Sequence, residues 1–191
     1  NNFTAKNDAT FLLNSKIQVI ISDSNLGFGP GVRQLLKLVD TPFVLSVNPD
    51  CVPFEHGINS LLRHMQSCSC SIVSGALLND SNEIDAHNPA LLLPFGKSLQ
   101  YQKKFFSNIF VRTYFPGALA LIDFEKLQSA GGYSNLFMYY DEIDTTIRLE
   151  RHGQLIHNLN DHIGMHKRGK ATGDDPLRKS EFTAYWSCLL Y

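Results

Sequence analysis

The chain lacks a charge imbalance: 17 Lys and Arg stand against 18 Asp and Glu, for a formal net charge of −1. Nucleic-acid-binding surfaces usually carry a basic surplus or stripe, so the charge balance argues against that partner class. No run of about 18 apolar residues occurs, so no membrane-spanning helix is expected. No secretory leader is visible, because the chain opens on the polar stretch Asn1 to Thr10. Cysteine is scarce. Cys51, Cys68, Cys70 and Cys188 contain no C-x-x-C pair, and only Cys68 and Cys70 are close. That pattern argues against a zinc site or a disulfide framework, and for free thiols in a reducing compartment. Internal repeats, low-complexity tracts and linkers are also missing, so a single domain over 1–191 is expected.

What is present suits a globular core. Hydrophobic residues make up 43% and charged residues 18%, ordinary values for a soluble domain. Lys16 to Ser22 (KIQVIIS) reads as a buried strand, followed by the Gly-rich loop Ser24 to Gly31. Val32 to Val39 reads as a helix, Phe43 to Val47 as a strand, Phe54 to Met65 as an amphipathic helix and Ser71 to Leu78 as a strand. This alternation predicts an α/β fold with a mainly parallel central sheet flanked by helices. Asn79 to Pro94 reads as an excursion from the sheet, and Gly96 to Phe110 as helical. Farther on, Ala118 to Asp123 reads as a strand and Asp141 to His152 as a helix. Leu155 to Leu159 and His162 to His166 read as two short strands, and Leu177 to Tyr191 as a last helix.

Four motifs carry chemistry. Asn25-Leu26-Gly27-Phe28-Gly29-Pro30-Gly31, with Arg33 one turn on, offers backbone that can approach an anion at a helix N-terminus. It is equally a tight strand-to-helix turn, and no Gly-Lys-Ser/Thr follows to make it a P-loop. Asn48-Pro49-Asp50 closes a strand with a carboxylate able to hold a hard cation, or is simply a turn. Asp141-Glu142-Ile143-Asp144, with Arg148 after it, offers a general base. Its plainer reading is an acidic first helical turn with an Asp144–Arg148 pair. His166 ends a segment holding His152, His157 and His162, and can meet a metal or a phosphate. A catalytic zinc site is not read from these histidines, since H-E-x-x-H is absent and no cysteine lies near in sequence.

In this order, NLGFGPGVR, SVNPD, GALALID, GGYSNLFMYYDEIDTTIR and MH resemble glycosyltransferase family 2, in its rhamnosyltransferase-like branch. The resemblance spans about Ile17 to His166. It implies a GT-A fold lacking its first strand, with Asn1-Asn2 as the remnant and the last helix trimmed at Tyr191. It further implies a bacterial inverting transferase that moves a sugar, rhamnose among the candidates, from a nucleotide-diphosphate donor to a hydroxyl. The acceptor would be a surface polysaccharide or lipid-linked glycan. The enzyme would be cytoplasmic or peripheral at the inner face of the membrane.

Carried onto this sequence, the resemblance makes Glu142 the first choice for catalytic base and Asp141 the second. Asn25, Gly27, Gly29, Arg33, Asn48, Asp50, Gly117 and Ala118 would line the nucleotide sugar. Asp50 and His166 would hold a divalent cation, Mg²⁺ or Mn²⁺. Arg33 stands where the family often has Asn, and the usual Glu-Asp order is inverted here. The missing first strand and the inverted acid pair keep open an inactive or fragmentary nucleotide-sugar-binding domain; a nucleotidyltransferase on a similar sheet and an interaction domain are the other readings.

Overall fold

The structure, a computed structural model, describes residues 18, 20–84, 90–92, 98–100 and 112–167. Helix α1 spans Phe28–Leu36, strand β1 Phe43–Val47, β2 Cys51–Pro53, helix α2 Glu55–Ser67 and β3 Cys70–Leu78. Three short strands follow: β4 (Ala90–Leu92), β5 (Ser98–Gln100) and β6 (Arg112–Tyr114). Then come β7 (Leu119–Asp123), helix α3 (Phe124–Ser129), helix α4 (Asp141–Arg151) and β8 (Leu155–His166).

The main sheet has the order β1-β7-β3-β8-β2. Only β3 and β8 pair in parallel; β1–β7, β3–β7 and β2–β8 are antiparallel. The expected mainly parallel sheet is therefore corrected to a mostly antiparallel one. The reason is insertion. Both β1 and β3 run antiparallel to β7, so they point the same way, as the strand-helix-strand pattern implied. But β7 arrives from later in the chain and takes the place between them. Local sequence sets the direction of a crossover, not which distant strand fills the gap.

Each face of this sheet is covered. Along β7, Leu119 and Leu121 join a core with Leu61 and Met65 of α2, Val73 and Leu77 of β3, and Ile163. Ala120 and Ile122, facing the other way, join Leu36 of α1, Leu127 of α3, Leu149 of α4, Phe115 and Tyr133. Period-two alternation thus divides one apolar run between two cores, which is why LALI shows no polar face.

β1 and β2 lie at opposite edges of the sheet, yet only Asn48, Pro49 and Asp50 join them. A flat five-stranded sheet would hold its edge strands about 19 Å apart. The four steps from Val47 to Cys51 reach at most about 14 Å. The sheet must therefore curl toward closure, and Asn48-Pro49-Asp50 is the bridge across the seam. The Cys51 N–H donates to the Asn48 carbonyl at 3.0 Å, which tightens that bridge further.

Other expectations are adjusted. The described residues within Lys16 to Ser22 are not in a strand, and Ile21 is exposed. The helix expected over Val32 to Val39 begins four residues earlier, at Phe28, and ends at Leu36. Within Gly96 to Phe110, Ser98–Gln100 is a strand rather than helix, in a separate antiparallel sheet of order β5-β4-β6. The two short strands expected after Leu155 are one strand whose pairing with β3 shifts register. The final helix lies outside the described residues, as do Asn1-Asn2 and Cys188. Among the described residues no helix is long and apolar enough to cross a membrane.

Candidate active site and a second metal-capable cluster

The seam bridge is anchored at both ends. The Asn48 N–H donates to the Ala118 carbonyl at 2.9 Å, extending the β1–β7 ladder by one rung. The Asp50 carbonyl accepts from the Lys167 N–H at 2.9 Å, while Cys51 pairs with His166. The backbone therefore sets Asp50 beside His166, with Oδ1 3.4 Å from Nε2. The sequence-derived cation pair is brought together across 116 residues. A third donor stands next to it in sequence: the buried Asn48 Oδ1 has no hydrogen-bond partner among the described residues. A buried amide oxygen left without a partner is uncommon and calls for an explanation. Carboxylate, imidazole and amide oxygen suit a hard or borderline divalent cation. Cys51 does not join this set as a thiolate, because burial and then the Asp50 charge push its thiol up to about 11.

Helix α4 begins after two consecutive residues in the left-handed region, Tyr139 (φ 60°) and Tyr140 (φ 61°). Bulky side chains rarely adopt that conformation, and it costs on the order of 1 kcal/mol or more per residue. The turn aims the first helical residues inward. Asp141 is 2% exposed, and its Oδ2 accepts a hydrogen bond from the buried Tyr133 hydroxyl at 2.9 Å. Glu142 retains some accessible surface although protein atoms crowd its carboxyl group. That carboxyl group lies against Gly117, where a side chain at residue 117 would have to begin.

Burial raises the proton affinity of both acids. It pushes Asp141 up to about 6, against the opposing pull of the Tyr133 hydroxyl. It pushes Glu142 well above the carboxylate range, with the Asp141 charge adding to the effect and the Gly117 N–H opposing it. Tyr133 is raised as well, by burial and then by the two neighbouring carboxylates. Burial and the charge of the neighbouring acid thus both favour the protonated forms of this pair.

The Gly-rich motif is placed differently from its sequence reading. Gly27 takes φ 82°, and a Cβ there would run into Phe137. The Phe28 N–H donates to the Phe137 carbonyl at 2.6 Å. A Cβ on Gly29 would lie 2.5 Å from the Leu136 carbonyl oxygen and 2.7 Å from that of Ser134. Both glycines are thus accounted for by close packing of α1 on the 134–137 loop. Arg33 donates to the carbonyls of Gly131 (3.0 Å) and Tyr133 (2.6 Å), clamping the same loop. Asn25 closes a local turn by accepting from the Gly27 N–H at 3.0 Å. Asp144 and Arg148 form the expected intrahelical ion pair at 3.1 Å, and Arg148 also reaches the Gly132 carbonyl at 2.7 Å.

A second constellation went unread in the sequence. His64, Cys68, Cys70 and His157 lie together, with their ligand-type atoms all within 4.8 Å of one another, and this cluster can hold a metal ion. The expectation of unpaired thiols is corrected, because the structure pairs Cys68 and Cys70 as a disulfide; Cys51 is free and buried. The histidine run was set aside because no cysteine lies near it in sequence. Pairing of β8 with β3 removes that objection, by setting His157 opposite Val73, three residues past Cys70. The available signal was the spacing His64-x₃-Cys68-x-Cys70, which packs three candidate ligands into seven residues.

A comparison of the chain with protein-family models gives no match, and neither does a comparison with curated proteins. The glycosyltransferase resemblance therefore rests on the five motifs alone.

Proposed function

We propose that this chain is the GT-A-type core of an inverting glycosyltransferase that takes its sugar from a nucleotide diphosphate. The supporting observation is the Gly117–Ala118 segment. On one side Ala118 is bonded to Asn48, at the start of the Asp50–His166 corner. On the other side Gly117 carries the Glu142 carboxyl group against its backbone. Groups suited to a metal diphosphate and a group suited to proton abstraction thus flank one two-residue strip.

In this reading Asp50, His166 and Asn48 would hold Mg²⁺ or Mn²⁺, which would offset the charge developing on the departing diphosphate. Glu142 accepts the proton of the acceptor hydroxyl. The hydroxyl oxygen forms its bond to the anomeric carbon as the bond to the diphosphate oxygen breaks on the opposite face. Glu142 is preferred over Asp141 on access, since Asp141 is sealed in and occupied by Tyr133. A raised proton affinity makes the ionised Glu142 a stronger base. Asn25, Gly27, Gly29 and Arg33 are then supports of the loop that carries the acids, rather than direct contacts to the donor. The donor sugar and nucleotide are left open, with deoxythymidine-diphosphate rhamnose and uridine-diphosphate sugars both in scope.

The test is a thermal-shift panel of nucleotide sugars with and without Mn²⁺, followed by a transfer or donor-hydrolysis assay. Stabilisation by one nucleotide class that depends on Mn²⁺ is expected. Glu142→Gln should keep that stabilisation and lose turnover. No response to any nucleotide sugar would overturn the proposal.

A further inference from the structure

The His64–Cys68–Cys70–His157 cluster lies apart from the Asp50–His166 corner. His157 is the third residue of β8 and His166 the twelfth. At about 3.3 Å per residue, nine residues of strand span up to about 30 Å.

We propose that these four side chains form a closed, tetrahedral site for a zinc-class cation, tying the end of α2 to the first turns of β3 and β8. Three elements converge there. His64 sits on the last turn of α2, Cys68 caps that helix, Cys70 opens β3, and His157 comes from the neighbouring strand. The imidazoles face each other, with His64 Nε2 2.8 Å from His157 Nδ1 and their rings tilted by 54°. The Cys70 N–H points at the Cys68 sulfur at 3.3 Å, the kind of donor that supports a metal thiolate.

The donor set decides the ion. Zn–S bonds of about 2.3 Å and Zn–N bonds of about 2.0 Å place tetrahedral ligand atoms roughly 3.3–3.8 Å apart. Once the Cys68–Cys70 bond is reduced, atoms already gathered within 4.8 Å need only small side-chain rotations to reach that arrangement. Two soft sulfurs with two imidazoles select zinc over the hard cations suited to Asp50. Four protein ligands leave no position for water or substrate, so the site is structural rather than catalytic. Cys70 is fully buried, while His64 borders a shallow cleft of about 280 Å³ lined also by Ser60, Arg63, Ser67, Leu159 and Asp161, which provides an entry path. Both cysteines must be thiolates to bind. The Cys68–Cys70 disulfide is the alternative, oxidised form of the same pair, and it excludes the ion.

The experiment uses the purified chain kept under a non-thiol reductant. Elemental analysis should find one equivalent of zinc that resists dialysis. Replacement by Co²⁺ should give the strong visible bands of tetrahedral cobalt and a near-ultraviolet thiolate-to-cobalt band. Cys68→Ser and His157→Ala should each abolish stoichiometric retention of zinc, while Cys51→Ala should keep it. Because those variants can misfold, the cobalt spectrum of the unaltered chain stands as an independent test. Weak, octahedral-type cobalt bands without a thiolate band would overturn the proposal. So would a fully reduced chain that retains no zinc, or one that keeps zinc in the Cys68→Ser/His157→Ala double variant.

Discussion

The Glu142 carboxyl group occupies the space in which a side chain at residue 117 would start. That relationship couples the first turn of α4 to the strip leading into β7. Gly117→Ala places a methyl group inside the carboxyl group, so Glu142 must rotate away. Its crowded surroundings make that costly, about 1–3 kcal/mol for an overpacked site. We expect turnover to fall at least tenfold while Mn²⁺-dependent donor binding changes little. Turnover and donor affinity measured on the same preparation check this; equal loss of both would mean that Gly117 serves binding alone.

The buried acid pair sets a pH dependence of stability with a definite sign. Asp141 moves from 3.8 to about 6 on folding, and Glu142 moves in the same direction. A carboxyl group whose folded pKa is raised keeps its proton longer in the folded chain. The unfolded chain releases it first, so stability falls as pH rises from about 4 through 6 and beyond. We expect the chain to be less stable at pH 8 than at pH 5, by on the order of 2 kcal/mol. Glu142→Gln, neutral at every pH, should flatten that slope. Urea denaturation across this range reads it directly, and a wild-type slope of the opposite sign would reject the raised proton affinity of this buried pair.

Tyr133 tunes the pair through its 2.9 Å hydrogen bond to Asp141. That bond lowers the proton affinity of Asp141 against burial. Tyr133→Phe removes the donor, so Asp141 should rise above about 6 and the alkaline-rising limb of the rate profile should move to higher pH. A stability loss of about 1–2 kcal/mol is expected from the unsatisfied buried carboxyl group. Asp141→Asn should slow turnover without abolishing it. If that substitution alone is as damaging as Glu142→Gln, the base is Asp141.

Asp50→Ala removes the carboxylate from the seam corner. Calorimetry of nucleotide-diphosphate binding with and without Mn²⁺ should then show the metal dependence gone. Asn48→Ala should weaken the dependence less, because it deletes only an amide oxygen. Unchanged metal-dependent affinity in Asp50→Ala would remove the cation from this corner.

The two helix-start glycines separate packing from ligand contact. Gly29→Ala drives a methyl group onto the Leu136 and Ser134 carbonyl oxygens and should cost at least about 2 kcal/mol. Nothing lies within 4 Å of a Cβ on Gly31, two residues on in the same helix. Gly31→Ala should be neutral, or stabilising by about 0.5–1 kcal/mol. Thermal melts of the two variants make the comparison; matching effects would contradict the packing of α1 on the 134–137 loop.

Periodicity and turn chemistry, which act over a few residues, made much of this molecule legible in advance. Phe43 to Val47 is a strand over the expected span, and Asp141 begins a helix whose Asp144–Arg148 pair follows from four-residue spacing alone. The same local logic marked Asn48-Pro49-Asp50 as the stop after β1. Only tertiary structure decided what those pieces meet. Insertion of β7 between β1 and β3 made the sheet mostly antiparallel, and sheet curvature turned a three-residue stop into the seam that sets Asp50 beside His166. Register between β3 and β8 carried His157 to Cys68 and Cys70, from a segment whose own sequence holds no cysteine. Pairing partners and metal-type clusters depend on contacts between residues far apart in the chain. No short-range pattern records those contacts, because their energy comes from burial and strand pairing that exist only once the whole sheet has formed.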